Sequence, residues 1–178
     1  NWTTPISLST QNIRRAGGEI ALGPNGEVYI CWAEVASLSP FNEVNVGFAS
    51  SSNGGANWNI TERAFPMSGI VGILTEKQSI RINGLPRIAV DNSNTSTRGN
   101  IYIITAQKNL LPAGSDPDII LRRSTDGGNT WSSAIKVNQD QLNNGKYQFF
   151  TGITVDTYGG VNVIFYDDRN TTSDSSAI

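Results

Sequence analysis

An internal repeat constrains the fold of this chain more than any other feature of its sequence. Three short phrases recur along it in the same order, and the copies of each phrase keep a similar spacing. They are 20–22, 88–90 and 153–155; 26–30, 99–103 and 159–163; and 51–58 with 124–131. Self-similarity of this kind predicts a chain built from repeated structural units.

Each unit is predicted to contain about four short antiparallel strands. Val28, Ile30 and Trp32 alternate with more polar neighbours, which is the period of two typical of a strand. Glycine-rich segments such as 24–26 and 126–128 supply the positive φ angles of tight hairpins. The predicted strands are 18–23, 27–34, 44–50 and 57–63, then 86–91, 100–107, 117–124 and 131–137, with 150–156 opening the next unit. Repeated four-stranded units are typical of a β-propeller, so the fold class is all-β.

The repeat also predicts the domain organisation. Residues 16–64 and 83–138 are each expected to form a whole blade, and residues 147–178 an incomplete one. Residues 1–8 resemble the segment 131–137 and are expected to be the outer strand of a preceding blade. The chain therefore reads as a partial arc of a longer propeller domain. Apolar residues of the innermost strands are expected to be buried between blades: Ile20, Leu22, Ile88, Val90, Ile153 and Val155.

Composition excludes several classes of function. The chain contains no His and one Cys, which rules out a Ser-His-Asp or Cys-His triad and a disulfide within it. Its net charge of −2 lacks the basic footprint of a nucleic-acid binder. No apolar run approaches the ~20 residues that a membrane-spanning helix needs. We expect no cofactor and no metal site.

The segment from Ser124 to Trp131 resembles the Asp-box, or BNR repeat, of sialidases and their relatives. It fits the Ser-x-Asp-x-Gly-x-Thr-Trp pattern at every position, whereas the first copy departs from it at Asn53 and Asn57. By this resemblance the chain is identified as a member of the sialidase-like Asp-box propeller family, six-bladed when complete. The boxes are expected to be structural, with each Trp packed equivalently on its own blade. Their residues are Ser51, Asn53, Gly55 and Trp58, and Ser124, Asp126, Gly128, Thr130 and Trp131.

A second resemblance concerns a possible substrate site. The segment 86–89 is similar to the Arg-Ile-Pro phrase of sialidases, which implies that Arg87 binds a substrate carboxylate. The planar fork of arginine suits that contact. The same resemblance implies that Asp116, or less well Asp118, is the acid/base. Arg87 is also open to a plainer interpretation, as an ion pair with a carboxylate of a neighbouring blade.

Two functions follow from these observations. The first is a secreted or cell-surface propeller without catalytic activity, which binds glycans or proteins or serves in a surface assembly. The alternative is an exo-acting glycoside hydrolase of sialidase type. The segment 166–169 (YDDR) is expected to hold a structural Asp–Arg pair, which favours the first. The expected partners are a glycan or protein ligand and the remaining blades of the same chain, with an extracellular or cell-surface location and no nucleic acid.

Overall fold

The computed structural model describes residues 4–9, 12–74 and 79–170, and this part of the chain is all-β. It contains β-strands and no helix, and therefore no helix long and apolar enough to cross a membrane. The strands are β1 Arg14–Leu22, β2 Val28–Val35, β3 Glu43–Ser51, β4 Asn59–Pro66, β5 Gly72–Leu74, β6 Ile80–Ile82, β7 Arg87–Val90, β8 Ile101–Gln107, β9 Asp118–Ser124, β10 Ile135–Lys136, β11 Gln148–Val155 and β12 Val161–Asp167.

The strands form antiparallel sheets in which sequence neighbours pair. β1 to β4 make the first sheet and β7 to β10 the second, each with its four strands in chain order. β11 and β12 form a two-stranded third sheet, and β5 and β6 a separate hairpin. The predicted four-stranded antiparallel units are confirmed, because tight turns and two-residue periodicity are local properties of the sequence.

Three details differ from the prediction. The strand expected at 131–137 is reduced to β10, although Ser132 and Val137 on either side still donate backbone hydrogen bonds to β9. The hairpin of β5 and β6 is not anticipated by the repeat. Residues 4–9 form no strand, and residues 1–3 and 171–178 lie outside the described part, so the blades assigned to both ends stay predictions.

Two apolar clusters hold the sheets together face to face. Cys31 and Phe48 of the first sheet pack against Ile88 and Ile103 of the second. On the other face of the second sheet, Ile104, Ile119 and other buried residues pack against the third sheet. The second sheet is therefore covered on both sides, and burial raises the pKa of the Cys31 thiol, which keeps it protonated.

The prediction that the apolar residues of the innermost strands are buried is wrong for the first sheet. Ile88 and Val90 are buried, and Ile153 and Val155 half-buried, but Ile20 and Leu22 are each 61% exposed. Alternation along β1 turns these two side chains away from the second sheet, and no sheet in the described part of the chain covers that face.

The sheets share a common orientation that gives them two distinct ends. The hairpin end carries the turns 23–27, 52–58, 91–100, 125–134 and 156–160. The crossover end carries the connections 36–42, 67–86, 108–117 and 137–147, of which 67–86 and 137–147 lead from one four-stranded sheet to the next sheet. Neighbouring hairpins contact each other, since the Asn92 side chain donates to the Leu22 carbonyl and Arg98 to that of Pro24, at 3.1 Å each.

Candidate functional site

The segment 124–131, the second of the two boxes defined by the repeat, is closed by hydrogen bonds within its own turn. The Ser124 hydroxyl accepts from the Gly128 amide at 2.8 Å and donates to the Asp126 carboxylate at 2.8 Å. That carboxylate also accepts from the Thr130 amide at 2.9 Å and from its hydroxyl at 2.6 Å. The Thr130 hydroxyl and amide, followed by Ser124, lower the pKa of Asp126 to about 2. The side chains of Ser124, Asp126 and Thr130 are thus engaged in shaping the turn.

The first box repeats this geometry with an amide in place of the carboxylate. The Ser51 hydroxyl accepts from the Gly55 amide at 2.9 Å, and the Asn53 side-chain oxygen accepts from the Asn57 amide at 2.9 Å. Asn53 therefore reproduces the turn contact of Asp126 without its charge.

The two box tryptophans occupy different environments. The Trp131 ring packs across the interface against Phe48 and Phe65 of the first sheet, with ring centroids 5.3 and 5.1 Å apart. This differs from the expected packing on its own sheet. Trp58 is half-buried and lines an open cavity of about 450 Å³ at the hairpin end. Trp131 therefore joins two sheets, a role the sequence pattern alone does not reveal.

Arg87 opens β7 at the crossover end and lines a cavity of about 310 Å³. We call this cavity the Arg87 cavity. Its lining also includes Asn83, Leu85, Phe150, Thr151 and Tyr166. The guanidinium Nη1 lies 3.8 Å from a Glu19 carboxylate oxygen, which also accepts from the Ile88 amide at 3.3 Å. The Arg87 side chain remains 44% exposed, so the neighbouring carboxylate does not close off its cationic face.

The two aspartates expected to supply an acid/base hold loops instead. Asp116 is 7% exposed and accepts from the Asn143 and Gly145 amides at 3.2 and 2.7 Å. It lies at the same end of the sheets as Arg87, yet outside the residues that line the Arg87 cavity. Its catalytic role stays a prediction, and these contacts do not favour it.

Asp118 is even more deeply engaged. It is 2% exposed and accepts from the Gly114 amide at 2.7 Å, the Lys136 ammonium at 3.0 Å and the Asn138 side chain at 2.6 Å. Together these contacts tie the start of β9 to β10 and the loop that follows it. A carboxylate with three donors, one of which is the ammonium group of Lys136, is placed to stabilise the fold.

Residues of the segment 166–169 have two different roles, since some make structural contacts and one lines the Arg87 cavity. Asp167 pairs with Arg169, as the sequence predicts, and Asp168 is buried and accepts from the Tyr147 amide at 2.6 Å. Tyr166, in contrast, is 52% exposed and lines the Arg87 cavity. Sequence reasoning missed this aromatic side chain.

Phe150 is the second aromatic residue that sequence reasoning missed. It lies in a β-bulge of β11 between Phe149 and Gly152, with a φ of 52°. The matching bulge of β1, between Ala16 and Glu19, contains Gly17 at a φ of 66°. Alignment of the repeats at this position offered a signal, because a phenylalanine stands where the first unit has glycine.

A buried carboxyl group contacts the backbone next to the Arg87 cavity. Glu43 is 2% exposed and one of its oxygens accepts from the Gly84 amide at 3.2 Å, beside the cavity residues Asn83 and Leu85. Its Oε2 has no hydrogen-bond partner among the described residues. Burial raises the pKa of Glu43, since the ionised form is poorly solvated there.

Comparison with known proteins gives similarities to solved structures and to no protein family. No family model matches the chain, and no curated protein matches it. Eight solved chains do, among them one titled "Hadza microbial sialidase Hz136", with a TM-score of 0.49 and 14% sequence identity. The alignment covers 88% of this chain and 35% of that one, so the chain spans about a third of the length of this neighbour.

The Arg87 cavity can bind a ligand by three kinds of contact. The guanidinium offers charge-assisted hydrogen bonds, Asn83 and Thr151 offer neutral ones, and the rings of Phe150 and Tyr166 offer an apolar surface. No carboxylate belongs to its lining among the described residues, where there is also no group of three His, Cys, Asp or Glu side chains that could hold a metal ion. The arrangement is chemically suited to recognition.

Proposed function

We propose that this chain is part of a secreted or cell-surface β-propeller of the Asp-box type that binds a glycan without hydrolysing it. The proposal rests on the different environments of the candidate residues at the crossover end. The Arg87 cavity combines a cation with two exposed aromatic rings, while Asp116 and Asp118 are buried in loop contacts. Two four-stranded sheets and a third, stacked in chain order, support the propeller.

A glycan suits the cavity better than a protein surface does. A volume of about 310 Å³ lies at the small end of ligand pockets, and a concave site with a few convergent polar groups is typical of small-molecule recognition. A stable protein–protein interface instead needs a broad contact area, about 800 Å² from each partner.

The remaining blades of the same polypeptide are the second expected partner. The exposed apolar face with Ile20 and Leu22 on the first sheet would be covered by a further sheet stacked in the same manner.

The alternative is an exo-acting glycoside hydrolase of sialidase type. It is favoured by the position of Arg87, whose exposed guanidinium opens at the same end of the sheets as Asp116. In that case Asp116 would have to leave its two backbone donors to reach a substrate, since an acid acts only within hydrogen-bond distance of the leaving oxygen.

The test titrates the full-length protein with sialyllactose by calorimetry and assays turnover of a fluorogenic sialoside in parallel. The Arg87→Ala variant should lose about 10- to 150-fold in affinity, the equivalent of ~1.5–3 kcal/mol for a charge-assisted contact. Arg123→Ala, at an exposed arginine of β9 in the same sheet, is the matched control and should bind as the wild type does. Turnover that collapses in Arg87→Ala would establish the hydrolase instead, and binding unaffected by that substitution would remove the site from the proposal.

A further inference from the structure

Backbone strain is distributed unevenly between the two ends of the sheets. In the described turns of the hairpin end, the residues with left-handed φ angles are all glycine: Gly26, Gly54, Gly55, Gly99, Gly127, Gly128 and Gly159. The non-glycine residues with such angles belong to the crossover connections or to the crossover end of a strand: Phe41, Ser79, Asn109, Asn143 and Phe150. The strained positions thus collect at the end that carries the Arg87 cavity.

Phe150 is the most unusual of these for its place in the fold. Asparagine enters the left-handed region readily, whereas a bulky side chain there is a genuine outlier. Phe150 also lies within a strand, at a bulge position that the first sheet fills with Gly17. Glycine is therefore compatible with this backbone, and phenylalanine is present in spite of the strain.

Core packing does not account for the Phe150 side chain. The residue is 40% exposed, in contrast to the adjacent Phe149, which is 1% exposed and belongs to the apolar cluster. The Phe150 ring meets Phe149 and Tyr166 edge to face, with centroids 5.1 and 5.8 Å apart and interplanar angles of 73° and 79°. Two neighbouring rings thus fix its orientation while it borders the Arg87 cavity.

We propose that Phe150 is a stacking platform for the apolar face of a pyranose ring bound in the Arg87 cavity. The inference rests on the proposed function and assigns its aromatic contact. The negative face of an aromatic ring attracts the weakly positive C–H groups of a sugar, and a rigid ring loses little entropy on binding. Asn83 and Thr151 line the same cavity and supply polar groups for the hydroxyls of the sugar.

The experiment uses Phe150→Gly, which installs the residue found at the matching bulge. In the full-length protein we expect affinity for sialyllactose to fall by about tenfold or more, because the stacking surface is removed. We expect the melting temperature to stay within ~2 °C of wild type or to rise, because glycine relieves the left-handed strain and offsets the lost ring contacts. Phe150→Trp, which keeps an aromatic face, should retain most of the affinity.

The control is Tyr158→Ala, at an aromatic residue of the hairpin end that is 86% exposed, and it should leave affinity unchanged. Wild-type affinity in Phe150→Gly would overturn this inference alone. A melting temperature lowered by many degrees would also overturn it, because the ring would then be a structural element. A wild-type protein that binds neither sialyllactose nor any neutral pyranoside would overturn both this inference and the proposed function.

Discussion

Gly55 and Gly128 occupy equivalent positions in the two repeated boxes, 51–58 and 124–131, yet their replacement by alanine should have different costs. Their φ angles are 90° and 92°. A Cβ at position 55 would approach the Trp58 ring at an ordinary 3.5 Å, whereas one at position 128 would lie 2.0 Å from a ring carbon of Phe48. Gly55→Ala should cost only the left-handed strain of an L-residue, about 1–2 kcal/mol. Gly128→Ala adds overpacking of about 1–3 kcal/mol, which gives a total of roughly 2–5 kcal/mol.

Urea unfolding followed by tryptophan fluorescence measures both free energies of unfolding. A double-mutant cycle locates the difference, because Phe48→Ala removes the clashing ring. In that background the overpacking cost should vanish and the total cost of Gly128→Ala should fall to that of Gly55→Ala. Equal costs for the two glycine substitutions in the wild-type background would refute the contact between the second box and the first sheet.

Three further predictions concern charged groups. Lys136→Met should lower the free energy of unfolding by about 3 kcal/mol in urea titrations, since it leaves the buried Asp118 carboxylate without its cation. Asp126→Ala should destabilise the protein at neutral pH, and in thermal scans its deficit should shrink as pH falls from about 4 towards 2, because the folded-state pKa is depressed below the unfolded value. Asn53→Ala, in the uncharged box, should show no such pH dependence. The melting temperature of Glu43→Gln should increase relative to that of wild type as pH rises above about 4. The reason is that the raised pKa of Glu43 makes its ionisation costly in the folded state. A difference in melting temperature between the two proteins that is constant with pH would contradict this.

Local sequence signals predicted the strands and turns of this protein well. Two-residue alternation and glycine-rich turns depend on residues close together in the chain, so β2, β3 and β7 to β9 fall near their predicted bounds. β1 begins earlier than predicted, at Arg14, and β4 ends later, at Pro66. The turn contacts of Ser124 and Asp126 likewise join residues that are neighbours in sequence. The position of Arg87 near the start of the first strand of its sheet also followed from the repeat.

Contacts between sheets could be decided only by the tertiary structure. Two nearly identical boxes differ because Phe48 of another sheet lies against Gly128, and no sheet in the described residues covers Ile20. In the sequence, Asp116 and Asp118 belong to a segment that is typical of an exposed turn. In the structure, Asp116 accepts a hydrogen bond from the Asn143 amide and Asp118 forms an ion pair with Lys136. These partners are distant in the chain, and their approach depends on how whole sheets stack. Sequence periodicity therefore determined the repeated β-unit, whereas the packing of one unit on the next decided which side chains remain free to meet a ligand.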